Sequence, residues 1–423
     1  MNINCIKCKG NNPRANCGRD FCPILAKSNA MFKTKQLFDS KDNSNKGNLG
    51  KTNYFGASPA VFVGRFGYPN INVGILTPPN ITNSDDYDAP RTWGSENYDI
   101  NTLINIRSSL VNSRFKMQVK YKKEKFLDMT QEISMASKPV DVEINLKDKP
   151  YFTKKNDPEV APMGPTSALK KAQITSNPKI HTKVDKVVSD TSLKATQALE
   201  LLYKKNFDEN FLSKLLSAGN LGVKTQRKLV PTRWSITATD DHIGKMYLKE
   251  IHKLSSRVDY SVYFGDYLGN YYLILMFPEI WSYELFEMYL PKASWNPTNQ
   301  LQFSTDNEGY LGRKNYASNC VGGYYSVRMA VQEHLVKKEK KQASCLVLRF
   351  ITGEYAVPLG VWVTREAARQ SLKSRPLKFA SKELMLKYAQ LFIKKKFNID
   401  INQILNKSIM LNEMKIQKKL NIF

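Results

Sequence analysis

Acidic residues are scarce in this chain of 423 residues: 38 Asp and Glu stand against 64 Lys and Arg, a formal charge of +26. Such an imbalance favours polyanionic partners, DNA or RNA above all, with binding that weakens as salt rises. Lysine, asparagine and isoleucine are abundant throughout, however, and a biased genome raises lysine without building a binding face. Histidine is rarer still, and none of His181, His242, His252 and His334 has ligand spacing to another. Long apolar runs are missing. The longest, Tyr271 to Phe277, stops at Pro278 and is far too short to cross a bilayer. No apolar stretch of the secretory type stands at the N-terminus, so a cytoplasmic location is expected. Internal repeats and a βαβ rhythm are also missing. The composition, 42% hydrophobic and 11% aromatic, is otherwise that of globular domains and excludes a disordered chain. The length allows two or three domains.

Cysteine is sparse too, but four of the six fall within the first 22 residues: Cys5, Cys8, Cys17 and Cys22. A Cys-x2-Cys turn aims two thiolates at one point, with Gly10 and Gly18 letting the backbone bend beside them. Four converging thiolates suit a structural tetrahedral zinc ion. Iron–sulfur ligation, disulfides and unligated thiols are the alternatives. A segment this small buries no core, so bound metal would supply its folding energy, on the order of 10–16 kcal/mol. Lys7, Lys9, Arg14, Arg19 and Lys27 surround the cluster, either to meet phosphate or to neutralise the centre.

Beyond a zinc module over 1–28, the polar stretch 29–56 reads as a linker. The body opens with strands at Ala60–Val63 and Asn72–Leu76 around a Gly67–Pro69 turn. A helix is expected over Asn101–Val111, and alternating strands at Arg114–Tyr121 and Val140–Leu146. Residues 147–184 read as an irregular strap, and a helix resumes near Ser192 with Asp190 as its cap. Val258–Phe264 and Tyr271–Phe277 form a hairpin, and Ile280–Leu290 reads as a helix. Cys345–Ile351 and Tyr355–Val363 read as a second hairpin, followed by a helix capped by Ser381. The fold class is α+β, with mixed helices and antiparallel hairpins, domains at 57–290 and 291–400, and a flexible tail over 401–423.

Several side-chain groupings could carry chemistry. Arg65 lies between two glycines, as a solvated turn residue or as a phosphate clamp. Arg233, Asp240 and Asp241 crowd one short stretch. Adjacent carboxylates can hold a divalent cation, yet on the expected strand they point to opposite faces. Cys320 precedes a double glycine, either as an activated thiol at a helix start or as buried packing. Trp362 with Arg365 could stack on bases, or Trp362 could be core. The Lys337–Lys341 and Lys394–Lys396 clusters are read as exposed charge.

The last residues, Gln417-Lys-Lys-Leu420-Asn-Ile422-Phe423, form one apolar plug if wound as a single 3₁₀ turn, with Leu420 and Phe423 eclipsed. That is the chemistry of a peptide docking on a sliding clamp. The alternative is an amphipathic tail folded back on its own body.

Long motifs then carry a resemblance. CGRDFCP at Cys17–Pro23, FVGRFGYPNINVG at Phe62–Gly74, NPKI at Asn177–Ile180 and VVSDTSLKA at Val187–Ala195 resemble the archaeal Nre family of DNA repair proteins. So do GVKTQRKLVPTRWSITATDD at Gly222–Asp241, GGYYSVR at Gly322–Arg328 and PLGVWVTREAAR at Pro358–Arg369. The resemblance implies a DNA damage repair factor with a C4 zinc module and a C-terminal motif for the sliding clamp PCNA. Cys5, Cys8, Cys17 and Cys22 occupy the zinc pattern; Gln417, Leu420, Ile422 and Phe423 occupy the clamp pattern. Two further readings stand beside it. One is a metal-dependent nuclease with Arg65, Arg233, Asp240 and Asp241 as candidate residues. The other is an RNA- or ribosome-associated zinc protein.

Overall fold

The computed structural model describes residue 15 and residues 22–39, 52–120, 124–151, 163–291, 293, 295, 296 and 298–416. These fall into two compact units, one reaching Ile243 and including Val357–Leu359, the other covering Gly244–Ala356 and the chain from Gly360 onward. The boundary expected at 290/291 therefore falls inside the second unit.

In the first unit, helix α1 (Pro23–Asp39) leads to strands β1 (Asn53–Ser58), β2 (Ala60–Val63) and β3 (Asn70–Thr77). Short α2 (Pro90–Ser95) and α3 (Ile100–Ser109) follow, then β4 (Val111–Gln118), α4 (Lys125–Met135), β5 (Val140–Leu146) and β6 (Thr166–Ile174). Helices α5 (Thr182–Ser189), α6 (Ala195–Tyr203) and α7 (Glu209–Ser217) precede α8 (Thr232–Ile251), whose residues up to Ile243 belong to this unit. The strand order is β1-β5-β6-β4-β3-β2. The pairings make β1 and β2 run the same way, and Pro59 alone separates them. They are one bent strand that pairs with β5 over its first half and with β3 over its second. The sheet must therefore curl until its outer strands meet. Inside lie Val61, Ile71, Val73, Ile75, Phe115, Val142, Ile144 and Leu169, with Tyr54 Oη 2.8 Å from Ser113 Oγ. Asp99 caps α3 by accepting from the N–H groups of Asn101 and Thr102, at 2.7 and 3.1 Å.

The second unit has strands β7 (Tyr260–Tyr267), β8 (Asn270–Phe277), β9 (Ser282–Tyr289) and β10 (Gln302–Glu308). After α9 (Val321–His334) come β11 (Ser344–Ile351), α10 (Trp362–Lys373), β12 (Leu377–Phe379) and α11 (Lys382–Phe397). Two short helices end it, α12 (Asn402–Lys407) and α13 (Ile409–Ile416). The order is β10-β9-β11-β8-β7-β12, with β9 and β11 parallel. One face buries Leu273, Leu275, Phe286, Leu346 and Leu348 against residues of α11 to α13.

Several expectations are overturned. Ile280–Leu290 is a strand rather than a helix. Covered on both faces, β9 is buried at nearly every position, so its alternation is hidden. Tyr355–Val363 makes no hairpin; β11 pairs with β8 and β9, and Trp362 opens α10. The stretch 147–184 contains β6, an inner strand whose alternation is broken where its pairing with β5 shifts register at Asn145/Leu146. Residues 29–39 belong to α1 and 53–56 to β1, not to a linker. The segment around Arg233 and Asp240 is helix α8, not a strand. Of the tail, 402–407 and 409–416 are helical, with Ile404, Leu405, Met410 and Leu411 buried, so this part is not a flexible tether.

Candidate nucleic-acid interface

Two motifs far apart in sequence meet at one end of the first sheet. The turn 64–69 joins β2 to β3. Gly67 takes a φ of +82°, and a Cβ there would approach the Asn70 carbonyl oxygen to 2.6 Å, so only glycine suits this corner. The Asn70 N–H donates to the Gly67 carbonyl at 2.8 Å, and the Gly64 N–H to that of Asn72 at 2.8 Å. The Val63 N–H donates to Thr232 Oγ1 at the start of α8, at 2.9 Å. Ser217 steadies that start, donating to the Val230 carbonyl at 2.8 Å with its Oγ 3.2 Å from Thr232 Oγ1. The end of β4 completes the junction. The Val119 N–H donates to Pro69, and the Leu229 N–H donates to Val119, at 2.9 and 3.0 Å.

Bound backbone to backbone, these stretches hold out a lip of aromatic and basic side chains. Phe66, Tyr68 and Trp234 are 76, 49 and 46% exposed. The Tyr68 and Trp234 rings lie 5.5 Å apart at 49°, and the Arg65 guanidinium stands 5.0 Å from the Phe66 centroid. Arg65, Lys120, Lys228 and Arg233 are all exposed. The segments that these hydrogen bonds join, 62–74, 111–120 and 217–239, contain no Asp or Glu, whereas Asp240 and Asp241 follow directly on α8. Clustered, solvent-facing rings ringed by cations can stack on bases and bind phosphates.

The other candidate residues go elsewhere. Asp240, 0% exposed, is buried within α8, whereas Asp241 is half-buried. Among the described residues no three His, Cys, Asp or Glu side chains come together as a metal site. Cys320 is buried, and burial raises its thiol pKa, so it is not an activated nucleophile. Trp362 is half-buried at the start of α10, and Arg365 is buried there with its Nε 3.8 Å from Glu366. Of the cysteine cluster, Cys22 is half-buried directly before α1 and forms no disulfide among the described residues. Cys5, Cys8 and Cys17 lie outside the described residues, as do Gln417, Leu420, Ile422 and Phe423.

The GGYYSVR motif, and PLGVWVTREAAR from Gly360 onward, build structure within the second unit. Glu308 accepts from Arg328 Nη1 and Tyr324 Oη, each at 2.9 Å, and from Trp281 Nε1 at 3.2 Å. Arg349 pairs with Glu287 and with Asn270 Oδ1, the latter at 2.6 and 3.1 Å. Gly323 lets α9 approach that pair; a Cβ would come within 2.6 Å of Glu287 Oε1. Arg369 bridges Glu333 at 2.8 Å and Glu366 at 2.6 Å. Every one of these charges has a matched partner, as buried charges require.

Comparison with known proteins bears on the same motifs. No solved structure matches the chain. A DNA repair protein NreB from Archaeoglobus fulgidus is 33% identical over 407 residues, 96% of each chain. A DNA repair protein NreA from the same organism is 36% identical over 388 residues, 90% of this chain and 91% of the relative. The NreA of Haloferax volcanii is 36% identical over 335 residues, covering 77% of this chain and 79% of its own. The family descriptions Archaeal Nre, N-terminal and Archaeal Nre, C-terminal match residues 16–296 and 308–423, so the chain belongs to the archaeal Nre family.

Proposed function

We propose that the chain is a DNA repair factor that the sliding clamp PCNA brings to DNA, with the lip of the first unit contacting the nucleic acid. The lip carries the reading: three exposed rings and four exposed cations suit DNA better than a protein or small-molecule ligand. The relatives' names, each a DNA repair protein, support the setting. Gln417, Leu420, Ile422 and Phe423 would form the clamp-binding turn. That motif follows Ile416, the last residue of α13, a helix that buries Met410 and Leu411. Cys5, Cys8, Cys17 and Cys22 would hold a structural zinc ion assisting DNA contact; four thiolates suit that ion, and Cys22 directly precedes a packed helix.

The nuclease reading has less support, because Asp240 is buried and no carboxylate cluster stands beside Arg233 among the described residues. Binding of full-length protein to immobilised clamp tests the proposal. Phe423→Ala is expected to abolish it, and equal binding by both proteins overturns the clamp assignment. Metal analysis is expected to find one zinc per chain, lost in Cys8→Ser.

A further inference from the structure

We propose that Phe66, Tyr68 and Trp234 form a platform that stacks on unpaired DNA bases, with Arg65, Lys120, Lys228 and Arg233 on the flanking phosphates. The inference rests on the DNA-contact reading above and names its substrate class: gapped or single-stranded DNA rather than intact duplex.

Three observations carry it. First, the rings are presented rather than packed. Phe66 stands at the tip of the turn, and Tyr68 and Trp234 touch each other while half of each remains in solvent. In a duplex the base faces cover one another, so an aromatic surface of this kind finds its complement only where bases are unpaired. Second, the platform is pre-organised. Its two halves, 166 residues apart in the chain at Tyr68 and Trp234, are fastened by the Val63–Thr232, Val119–Pro69 and Leu229–Val119 hydrogen bonds. Little ordering entropy is then lost on binding. Third, the exposed charges beside the rings are cations: Arg65, Lys120, Lys228 and Arg233 come from the three segments that the hydrogen bonds join, and each can meet a phosphate.

Fluorescence anisotropy with full-length protein tests this on a labelled single strand, its duplex, the same duplex with a short gap, and an RNA strand of equal sequence. The gapped and single-stranded DNA are expected to bind roughly tenfold tighter than duplex, the size of one base–aromatic stack. Trp234→Ala or Tyr68→Ala should remove that preference by weakening binding to gapped and single-stranded DNA about tenfold, with the salt slope kept. Arg65→Ala and Arg233→Ala should lower the salt slope on every DNA. Tryptophan quenching by the single strand should disappear in Trp234→Phe. Equal wild-type binding to gapped and intact duplex overturns the platform but leaves DNA contact standing. A preference that survives removal of all three rings does the same. Tighter, ring-dependent binding to RNA overturns the DNA assignment, and absence of binding to any nucleic acid overturns both readings.

Discussion

Glu284 lies in the middle of β9, with its carboxylate turned to the start of α13. It accepts from Ser408 Oγ and from the N–H groups of Ile409 and Met410, the latter two at 3.1 Å. Glu284, Ser408 and Met410 are buried, so no water replaces the partner lost to the Ser408 hydroxyl and the Met410 N–H, whereas Ile409 is exposed. Removing the carboxylate in Glu284→Ala forfeits a helix cap, about 1–2 kcal/mol. It also strands further buried donors at about 1–3 kcal/mol each. We expect a loss of about 3 kcal/mol, which for a unit of this size lowers its melting temperature by roughly 6–12 °C. Because α13 should leave its site first, limited proteolysis should cut between 402 and 416 before the sheet melts. Glu284→Gln keeps the volume and one acceptor oxygen and should lose less. Burial also raises the Glu284 carboxyl pKa, so this group's contribution is present in acid and declines as pH rises through the folded value. Calorimetry of wild type and both variants reads the effect. Equal melting of Glu284→Ala and wild type, with 402–416 equally resistant to protease, would refute the reasoning.

Two further predictions concern charge. Hydrogen bonding from His334, aided by Tyr263 and Arg257, brings the Glu339 carboxyl down from 4.5 to about 2. Its stabilising contribution is complete above pH 4.5 and lost as pH falls towards 2; Glu339→Gln should flatten that limb of the denaturant-midpoint profile. Arg328→Met leaves Glu308 without its cation in a fully buried site and is expected to cost about 3–5 kcal/mol by urea unfolding.

How much of this was legible in the sequence differed from element to element. β4 and β5 alternate cleanly because one face meets the core and the other meets water, as in Phe115 and Met117 against Lys116 and Gln118. The Ser381 cap was equally plain, and its Oγ does accept from the Leu384 N–H at 3.2 Å. β9 failed for the opposite reason: both faces are buried, Tyr283 and Leu285 on one, Phe286 and Met288 on the other. α8 was obscured by Thr232, Thr237 and Thr239, residues that local propensity assigns to strands. Arg65 and Arg233 stand in separate motifs, 168 residues apart in the chain. Their neighbourhood depends on hydrogen bonds between distant segments that no periodicity encodes. The available signal was Phe66, Tyr68 and Trp234 placed beside Gly67, Pro69 and Pro231, aromatics outside any apolar rhythm.

The bent strand at Pro59 has a thermodynamic consequence. In an open sheet, fraying starts at whichever outer strand has a bare rim. Here the outer strands are covalently continuous, and the rim of β1 exchanges hydrogen bonds with residues 80 and 81, at 2.8 and 2.7 Å. Opening therefore cannot begin at a margin and spread inward. The amides of all six strands should exchange with solvent in one concerted event, making this barrel-like wall the slowest-exchanging part of its unit.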